Sequence, residues 1–489
     1  MSVQLTLESK IHEQIPSELL RIFENTNSYL VGGLIRDFVH NNCEELLTKD
    51  FDFVVFNCPD LAAFSRNIAD ETDSSFIELD SETQSYRIVN DKWQVDIVAP
   101  RGRDIEEDLE ERDFSINAVA YELSSKKILD PQKGLEDLEQ KVIRGIQEKN
   151  FKDDPLRCIR SFRIAAQLSN PNEKFKIDSE TKLWIQNASR DLHKVASERI
   201  SHEIWLLMSS PVSFDFLWLC AEMGIWERIY PEFTDLRKVP SNTHHHLPLF
   251  EHTFELVKQY EANVRNKLPE SCLNFIKREA FGNVTCEALV KMSCLLHDIS
   301  KPETWQIEGE KHSFHKHEKL GAEVTKLIGK RMKWSKTVTN SVSLLVNFHL
   351  RPFQLSQKGQ EPSPKAERKF FRQIGDLFYP LVCLAWADLL STRGPKVSEQ
   401  DVANNEIMLK SLCEKYRELS QKEQITPPLL SGTKLEEAIE VSTLPPTKII
   451  KELLNELRDL QMSGDLETSE QAFQWFISKG QKLSQGKSL

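Results

Sequence analysis

Residues 49–56 read KDFDFVVF, so Asp50 and Asp52 are carboxylates inside a run that is otherwise apolar. Side chains on a strand alternate faces, which puts the two acids on one face and Phe51, Phe53 and Val55 on the other. Same-face neighbours lie ~6.5–7 Å apart, a spacing that suits acids bracketing two cations ~4 Å apart, one for an attacking hydroxyl and one for a leaving phosphate group. An exposed edge strand is the alternative, but acids beside a core need a compensating charge, which favours cations. Upstream, YLVGGLIRDF (29–38) sets Gly32 and Gly33 between an apolar run and a helical pattern. Glycines at such a turn let backbone N–H groups and a helix start approach a phosphate. WQVDIV (93–98) offers a third carboxylate, Asp96, which either joins the pair from a neighbouring strand or faces solvent on a half-buried one.

A second group of chemistry-bearing residues lies further along. His297 and Asp298 are adjacent at the end of the helical pattern CEALVKMSCLLHD, with His252 in PLFEHTF, His317 in FHKHEKLGAE, His349 in LLVNFHLRP and Asp388 in LAWADLL. A lone histidine on a helix is usually structural. Imidazoles and carboxylates in this mixture suit borderline divalent metals, and four to six of them hold one or two ions.

The elements that must position these residues divide the chain unevenly. Residues 1–150 mix strand-like runs (FDFVVF, YRIV, WQVDIV, SINAVAYEL) with helical ones and read as α+β. From about 151 onward strand signals vanish and FKDDPLRCIRSFRIAAQL, SERISHEIWLLMSS and FDFLWLCAEMGIWERI carry helical periodicity, which predicts an all-helical body. Turn formers at 169–175, 239–246, 354–365 and 420–428 mark breaks. The expected domains are 1–150, 151–238, 239–400 and 401–480, with a disordered tail at 481–489.

Composition bounds the function class. With 489 residues, 39% of them hydrophobic, the chain fills several cores, and nine scattered cysteines without a CxxC pair argue for a reducing compartment over a disulfide framework or a zinc ribbon. No export or organelle signal is visible at the N-terminus and no apolar run approaches the ~20 residues of a membrane span, so a cytoplasmic protein with no membrane attachment is expected. No obligate protein partner is evident. The net charge of −12 does not announce a nucleic-acid binder, yet Arg144 to Arg163, KLIGKRMKWSK (326–336) and PKAERKFFRQ (364–373) are basic stretches that allow a basic groove.

Five motifs in order carry a resemblance: VGGLIRD with KDFDF, then EEDLEERDFSINAVAYE (106–122), DPQKGLEDLEQKVIRGI (130–146), FKDDPLRCIRSFRIAAQL (151–168) and SERISHEI (197–204). Together they resemble the class II tRNA nucleotidyltransferase and bacterial poly(A) polymerase family, and the histidines and aspartates of the second group are similar to the H…HD…H…H…D pattern of HD phosphohydrolases found in its long members. The resemblance implies a polymerase-β-like nucleotidyltransferase head with a mixed sheet, a helical neck that selects the nucleotide, and an HD domain. It implies Mg2+ at Asp50 and Asp52 and triphosphate contacts from Gly32, Gly33 and Arg36; Asp96 stands beside them as a candidate third catalytic carboxylate on its strand position alone. Arg112, Asp113 and Asn117 match the second motif. Glu111 departs from the arginine that relatives usually carry there, which puts one phosphate or hinge contact in doubt.

The fourth motif implies a protein template. Asp154 and Pro155 look like a helix start with Asp154 as N-cap and Arg157 near it, and capping alone would account for the acid. In the family the matching pair reads the base. Cytosine and adenine both show an amino donor beside a ring-nitrogen acceptor, so a carboxylate and a guanidinium admit C and A and reject G and U, each mispaired group costing ~1–3 kcal/mol. Arg160 and Arg163 fall on the same face as triphosphate or base-stacking partners. The implied activity is template-independent addition of CMP, AMP or both, from CTP and ATP, to the 3′ end of tRNA with release of pyrophosphate. Poly(A) synthesis is the alternative, disfavoured by the lack of an Arg-rich block after the metal strand; a metal-dependent phosphohydrolase or 2′,3′-cyclic phosphodiesterase seated in the HD domain is another.

Overall fold

The computed structural model describes residues 2–41, 49–242, 245–309, 311–355, 362–442 and 448–484. They form two compact bodies, Met1–Lys238 with Lys326–Thr339, and Val239–Thr325 with Asn340–Leu489.

The first body is built on a seven-stranded mixed sheet. Its strands are β1 (Ser28–Val31), β2 (Asp50–Val55), β3 (Ser75–Asp80), β4 (Ser85–Val89), β5 (Gln94–Val98), β6 (Ala120–Glu122) and β7 (Lys127–Leu129), in the order β3-β4-β5-β2-β1-β6-β7. β2 runs parallel to β5 and all other neighbours are antiparallel. One sheet face, with Phe51, Phe53, Val95 and Ile97, packs against Leu34, Ile35 and Phe38 of helix α1 (Gly33–His40) and against Ile11, Leu19 and Phe23 of the N-terminal helices. The opposite face carries Val31, Val54, Leu109 and Ala120 in a smaller cluster. Asp50 and Asp52 share that second face with Val54 because period two demands it.

The rest of the first body is helical, led by α2 (Arg157–Leu168) and α3 (Ser197–Ser209). Buried Ile159, Phe162 and Ile164 of α2, and Ile204 and Leu207 of α3, supply the apolar stripe that helical periodicity foretold.

The second body gathers α4 (Leu249–Gln259), α5 (Cys286–Leu296), the start of α6 (His317–Arg331), the end of α7 (Lys336–Phe348), α8 (Pro364–Ile374), α9 (Phe378–Ser391), α10 (Glu399–Ile425) and α11 (Lys448–Ser463). The stretch from Pro364 to Ser391 is long and apolar enough to cross a membrane, but 78% of its apolar window lies inside the protein, where α9 serves as core.

The body beyond 151 is not purely helical in detail. Trp305–Glu308 pairs with Lys311–Phe314, Ala280–Phe281 with Val284–Thr285, and Val142–Ile143 with Lys176–Ile177. The first two are hairpins turned at Gly309 and Gly282, whose φ of 62° and 68° suits glycine and is costly for other residues. Residues 481–484 are helical and not part of a disordered tail, because they end the helix Ser469–Ser484 and Leu483 packs against the apolar cluster that holds Leu453, Leu457, Ala472 and Phe476. The remainder of that tail, 485–489, lies outside the described residues.

Candidate active site

Strand pairing brings the acids of the head together. The parallel register of β2 and β5 sets Asp52 directly across from Asp96 and Asp50 across from Gln94. Asp50 is exposed and Asp52 half-buried. The turn after β1 closes on the same spot: Gly32 adopts φ 85°, and a Cβ there would stand 2.6 Å from Asp52 Oδ2. Only glycine tolerates both the backbone and the approach. Burial, the neighbouring Asp96 charge and Asp50 push the Asp52 carboxyl up to about 6, against the pull of Arg112 and Arg87. Acids crowded so that one resists ionisation are what a divalent cation relieves, since it replaces repulsion by coordination.

Asp96 does not stand alone. Arg87 on β4 faces it in register and donates Nε to Oδ1 at 2.7 Å and Nη2 to Oδ2 at 2.8 Å. Both oxygens of Asp96 are thus engaged, which sets it apart from Asp52.

A second network runs from the glycine turn into the helices. Arg36 of α1 donates Nη1 to Asn117 Oδ1 at 2.7 Å and Nε to Asp37 at 2.7 Å. Asn117 donates Nδ2 to Asp113 Oδ1 at 2.9 Å, and Arg160 of α2 donates to Asp113 Oδ2 at 2.9 and 2.6 Å. Glu203 of α3 then takes Arg163 Nε at 2.7 Å, with Arg160 Nη1 3.5 Å away. Burial works to raise the Asp113 carboxyl, but the Arg160 charge and the Asn117 and Arg160 hydrogen bonds outweigh it and hold the acid well below its usual range. Arg112 donates Nη2 to Asp108 Oδ2 at 3.0 Å.

Asp154 and Arg157 are placed differently from the N-cap expectation. α2 begins at Arg157, and Asp154 Oδ1 accepts from the Leu156 N–H at 3.2 Å while Oδ2 accepts from Arg199 at 3.0 Å. The Arg157 guanidinium turns to the carbonyls of Arg112, at 3.0 Å, and Glu111, at 2.8 Å. The Asp-Pro turn takes up the acid locally, and Arg157 satisfies backbone acceptors from the 105–112 segment. The Glu111 carboxylate pairs with Lys149 at 3.2 Å.

The second body holds the histidines and remaining aspartates in one cluster. His252 lies on α4, His297 and Asp298 follow α5, His317 opens α6, His349 follows α7 and Asp388 lies on α9. Asp298 Oδ2 is 2.9 Å from His297 Nε2 and 4.0 Å from His252 Nε2, while Oδ1 is 3.2 Å from His317 Nε2 and 3.7 Å from His349 Nε2. Asp388 Oδ1 stands 3.3 Å from His252 Nε2.

One device repeats three times. His297, His317 and His349 each turn Nδ1 to the carbonyl three residues back, Cys294, Phe314 and Val346, at 2.8, 2.7 and 2.7 Å. The bonded nitrogen carries the proton, so Nε2 presents a lone pair inward, as a metal-ligating histidine requires. His317 and His349 then oppose each other across 3.3 Å between Nε2 atoms. Nε2 of His252 and His297 and both oxygens of Asp298 are buried without a hydrogen bond of acceptable angle. Burial and the neighbouring His297 hold His349 neutral, down to about 3. Such buried, inward-facing donors fit a cation, and two triads, His252–His297–Asp298 and Asp298–His317–His349, share Asp298. The cluster opens into a cavity of about 410 Å³ lined also by Lys301, Leu350, Phe353 and Lys396.

The sequence points to the acids and imidazoles but not to Arg87, whose partner Asp96 sits across the β4–β5 pairing, nor to Arg199 or Glu203, whose partners Asp154 and Arg163 lie 45 and 40 residues away. Arg87 alone left a trace: in SYRIV it shares a face with Ser85 and Val89, away from buried Tyr86 and Ile88.

Comparisons with known proteins bear on both bodies. Residues 28–144 match the poly A polymerase head domain, 174–236 match a probable RNA and SrmB-binding site of polymerase A, and 279–390 match the HD domain. His252 lies before the last of these matches, although it packs inside the cluster. The chain is 28% identical to an A-adding tRNA nucleotidyltransferase of Deinococcus radiodurans over 91% of its own length and 93% of that protein. It is 27% identical to a CC-adding tRNA nucleotidyltransferase of Thermus thermophilus, over 91% and 92%. Its fold resembles the Thermotoga maritima CCA-adding enzyme solved with tRNA, with a TM-score of 0.58 at 18% identity over 97% and 98% of the two chains. A CCA-adding enzyme solved with ATP gives 0.59 at 18% identity over 98% and 97%.

Proposed function

Because the chain belongs to the tRNA nucleotidyltransferase and poly(A) polymerase family, in the long form with an HD domain, we propose that it adds CMP, AMP or both to the 3′ end of tRNA, taking CTP and ATP and releasing pyrophosphate. The observation that carries this reading is the Asp50 and Asp52 face, with Asp96 across from Asp52 and the Gly32 backbone against its oxygen. Asp50 and Asp52 would hold divalent cations, magnesium on this reading, whose chemistry is to activate the attacking hydroxyl and neutralise the triphosphate.

The chain's own groups do the positioning. The turn at Gly32 and Gly33 and the start of α1 offer backbone N–H groups to phosphate oxygens, and Arg36 and Arg112 offer guanidinium forks. Asp96, held on both oxygens by Arg87, fixes the edge against which Asp52 sits. Asp154 and Arg157 read the base, the acid accepting from the exocyclic amine and the guanidinium donating to the ring nitrogen; Arg157 exchanges a carbonyl for the base when it does so. Asp113, buried between Asn117 and Arg160, ties the second motif to α2. A cytoplasmic setting accords with the eight cysteines among the described residues, all of them free thiols.

Named relatives include both an A-adding and a CC-adding enzyme, so the number and kind of nucleotides is tested directly. tRNA ending before CCA, after C and after CC, each with one labelled nucleoside triphosphate, gives product lengths that assign the reaction. Incorporation of C or A into at least one of these acceptors is expected. Incorporation of G or U at comparable rates would overturn the Asp154 and Arg157 role.

A second reading applies to the other body. The shared Asp298 between two triads favours metal-dependent hydrolysis of a phosphate ester there. Release of a 2′- or 3′-nucleotide from a 2′,3′-cyclic nucleotide, abolished by Asp298→Ala, tests it.

A further inference from the structure

The cavity beside the His/Asp cluster has one more imidazole on its wall, His245, which precedes α4. Its ring stands 4.5 Å from the ring of His252, at 73°, and the charges of Lys301, Asp388 and Asp298 act on it. The backbone there is pinned, because the His245 N–H donates to Asn242 Oδ1 at 3.0 Å and the Asn242 N–H to the His245 carbonyl at 2.9 Å. Yet His245 belongs to neither of the triads that could hold a cation. Nδ1 is shut off from water without a hydrogen bond; Nε2 is not closed off in that way, and no described residue bonds to it. Among the other donors on the wall, Lys301 is held by Asp298 at 2.6 Å, Thr392 and Asn405 donate to the carbonyls of Asp388 and Asp401 at 2.9 and 2.8 Å, and Lys396 is exposed. His245 thus brings to the cavity, next to the ligands, a ring nitrogen that neither packing nor a cation uses.

Hydrolysis of a phosphate ester has one need that the ligands do not meet. Lone pairs turned inward hold a cation, but the ester oxygen that departs gathers negative charge and is steadied by a hydrogen-bond donor. Resting on the hydrolytic reading of this cluster, we propose that His245 is its substrate-contacting residue: the ring N–H donates to the leaving ester oxygen, and the imidazole is not a ligand. A water oxygen bonds to phosphorus, the bond from phosphorus to the ester oxygen breaks, and that oxygen leaves with the bonding pair inside the His245 hydrogen bond. The attacking water gives its proton to solvent and the leaving oxygen takes one from solvent, so His245 keeps its own.

The leaving group tests this. A p-nitrophenolate departs without help, whereas the ribose oxygen of a 2′,3′-cyclic nucleotide does not. On the full-length protein loaded with manganese, His245→Ala is expected to cut kcat for the cyclic nucleotide about tenfold or more and to change that for bis(p-nitrophenyl) phosphate by less than about twofold. His245→Phe fills the same space without an N–H and should show the same split, and both variants should retain as much manganese per chain as the wild type, measured by elemental analysis. Lys396→Gln, which removes the other open donor, is expected to show no split. The proposal is overturned if both esters slow equally in the two His245 variants, if either variant loses manganese, or if Lys396→Gln produces the split instead. A wild type that hydrolyses neither ester would overturn the hydrolytic reading and this proposal together; a wild type active on both, with no split in the variants, would contradict the role of His245 alone.

Discussion

At the scale of single residues, Asp52 and Asp113 are acids displaced in opposite directions for opposite reasons. Asp52 is pushed up to about 6 by burial and by Asp96. Asp52→Asn should leave a folded protein and reduce nucleotide incorporation by about 10³-fold or more, the loss expected when a cation ligand is removed from the reacting centre. Asp96→Asn should cost less, roughly tenfold, because Arg87 already neutralises that acid; steady-state rates on one tRNA acceptor compare the two. Asp113 is held below its usual range, so its contribution to stability is complete above the unfolded value of about 4 and fades as pH falls through and below it. Asp113→Asn should therefore destabilise by about 2–3 kcal/mol at pH 7, under the ~3–5 of a fully buried pair because Arg160 keeps some access to water. Urea unfolding at pH 7 and pH 3 should show that gap narrowing in acid. The two acids of β2 were legible from alternation alone. The partners Arg87, Arg199 and Glu203 were not, since Arg87 and Arg199 reach Asp96 and Asp154, and Glu203 reaches Arg160 and Arg163, through strand register or helix packing that the motifs do not encode. Arg157 shows the limit most plainly: three residues from Asp154 in sequence, it spends its donors on the carbonyls of Glu111 and Arg112.

At the scale of elements, the turn between β1 and α1 is where backbone geometry and chemistry coincide. Gly32→Ala sets a methyl 2.6 Å from Asp52 Oδ2 and forces a left-handed φ on a residue with a side chain. A loss of about 1–2 kcal/mol in stability and of a hundredfold or more in rate is expected, read by unfolding and by incorporation on the same preparation. In the second body, the turns of His297 and His349 onto carbonyls three residues back depend on where helices α5 and α7 stop, and that of His317 on where α6 starts. Helix periodicity gave those helices and left their ends open, and the short hairpins, whose strands run only two to four residues, fell below any periodic signal. His349→Ala should remove one ligand from the second triad and lower the manganese or zinc retained after dialysis, measured per chain by elemental analysis, while His252→Ala should deplete the first.

At the scale of the whole molecule, the acids of the sheet and the His/Asp cluster belong to two different bodies. Separate catalytic groups imply separable loss: Asp298→Ala is expected to leave nucleotide incorporation within about twofold of wild type, and Asp52→Asn to leave hydrolysis of a 2′,3′-cyclic nucleotide equally untouched. The division into an α+β head and a helical remainder was readable from the change of period near residue 150. That residues 326–339 fold with the first body was not, because it depends on contacts between segments far apart in sequence. The measurement that bears most directly on the nucleotidyl-transfer reading is magnesium-dependent incorporation of labelled CMP and AMP into tRNA lacking its 3′ end, run side by side with wild type, Asp50→Asn and Asp52→Asn. Incorporation by the wild type that needs magnesium and disappears in both variants is the expected result; a wild type that incorporates neither nucleotide, or variants that keep the wild-type rate, would contradict it.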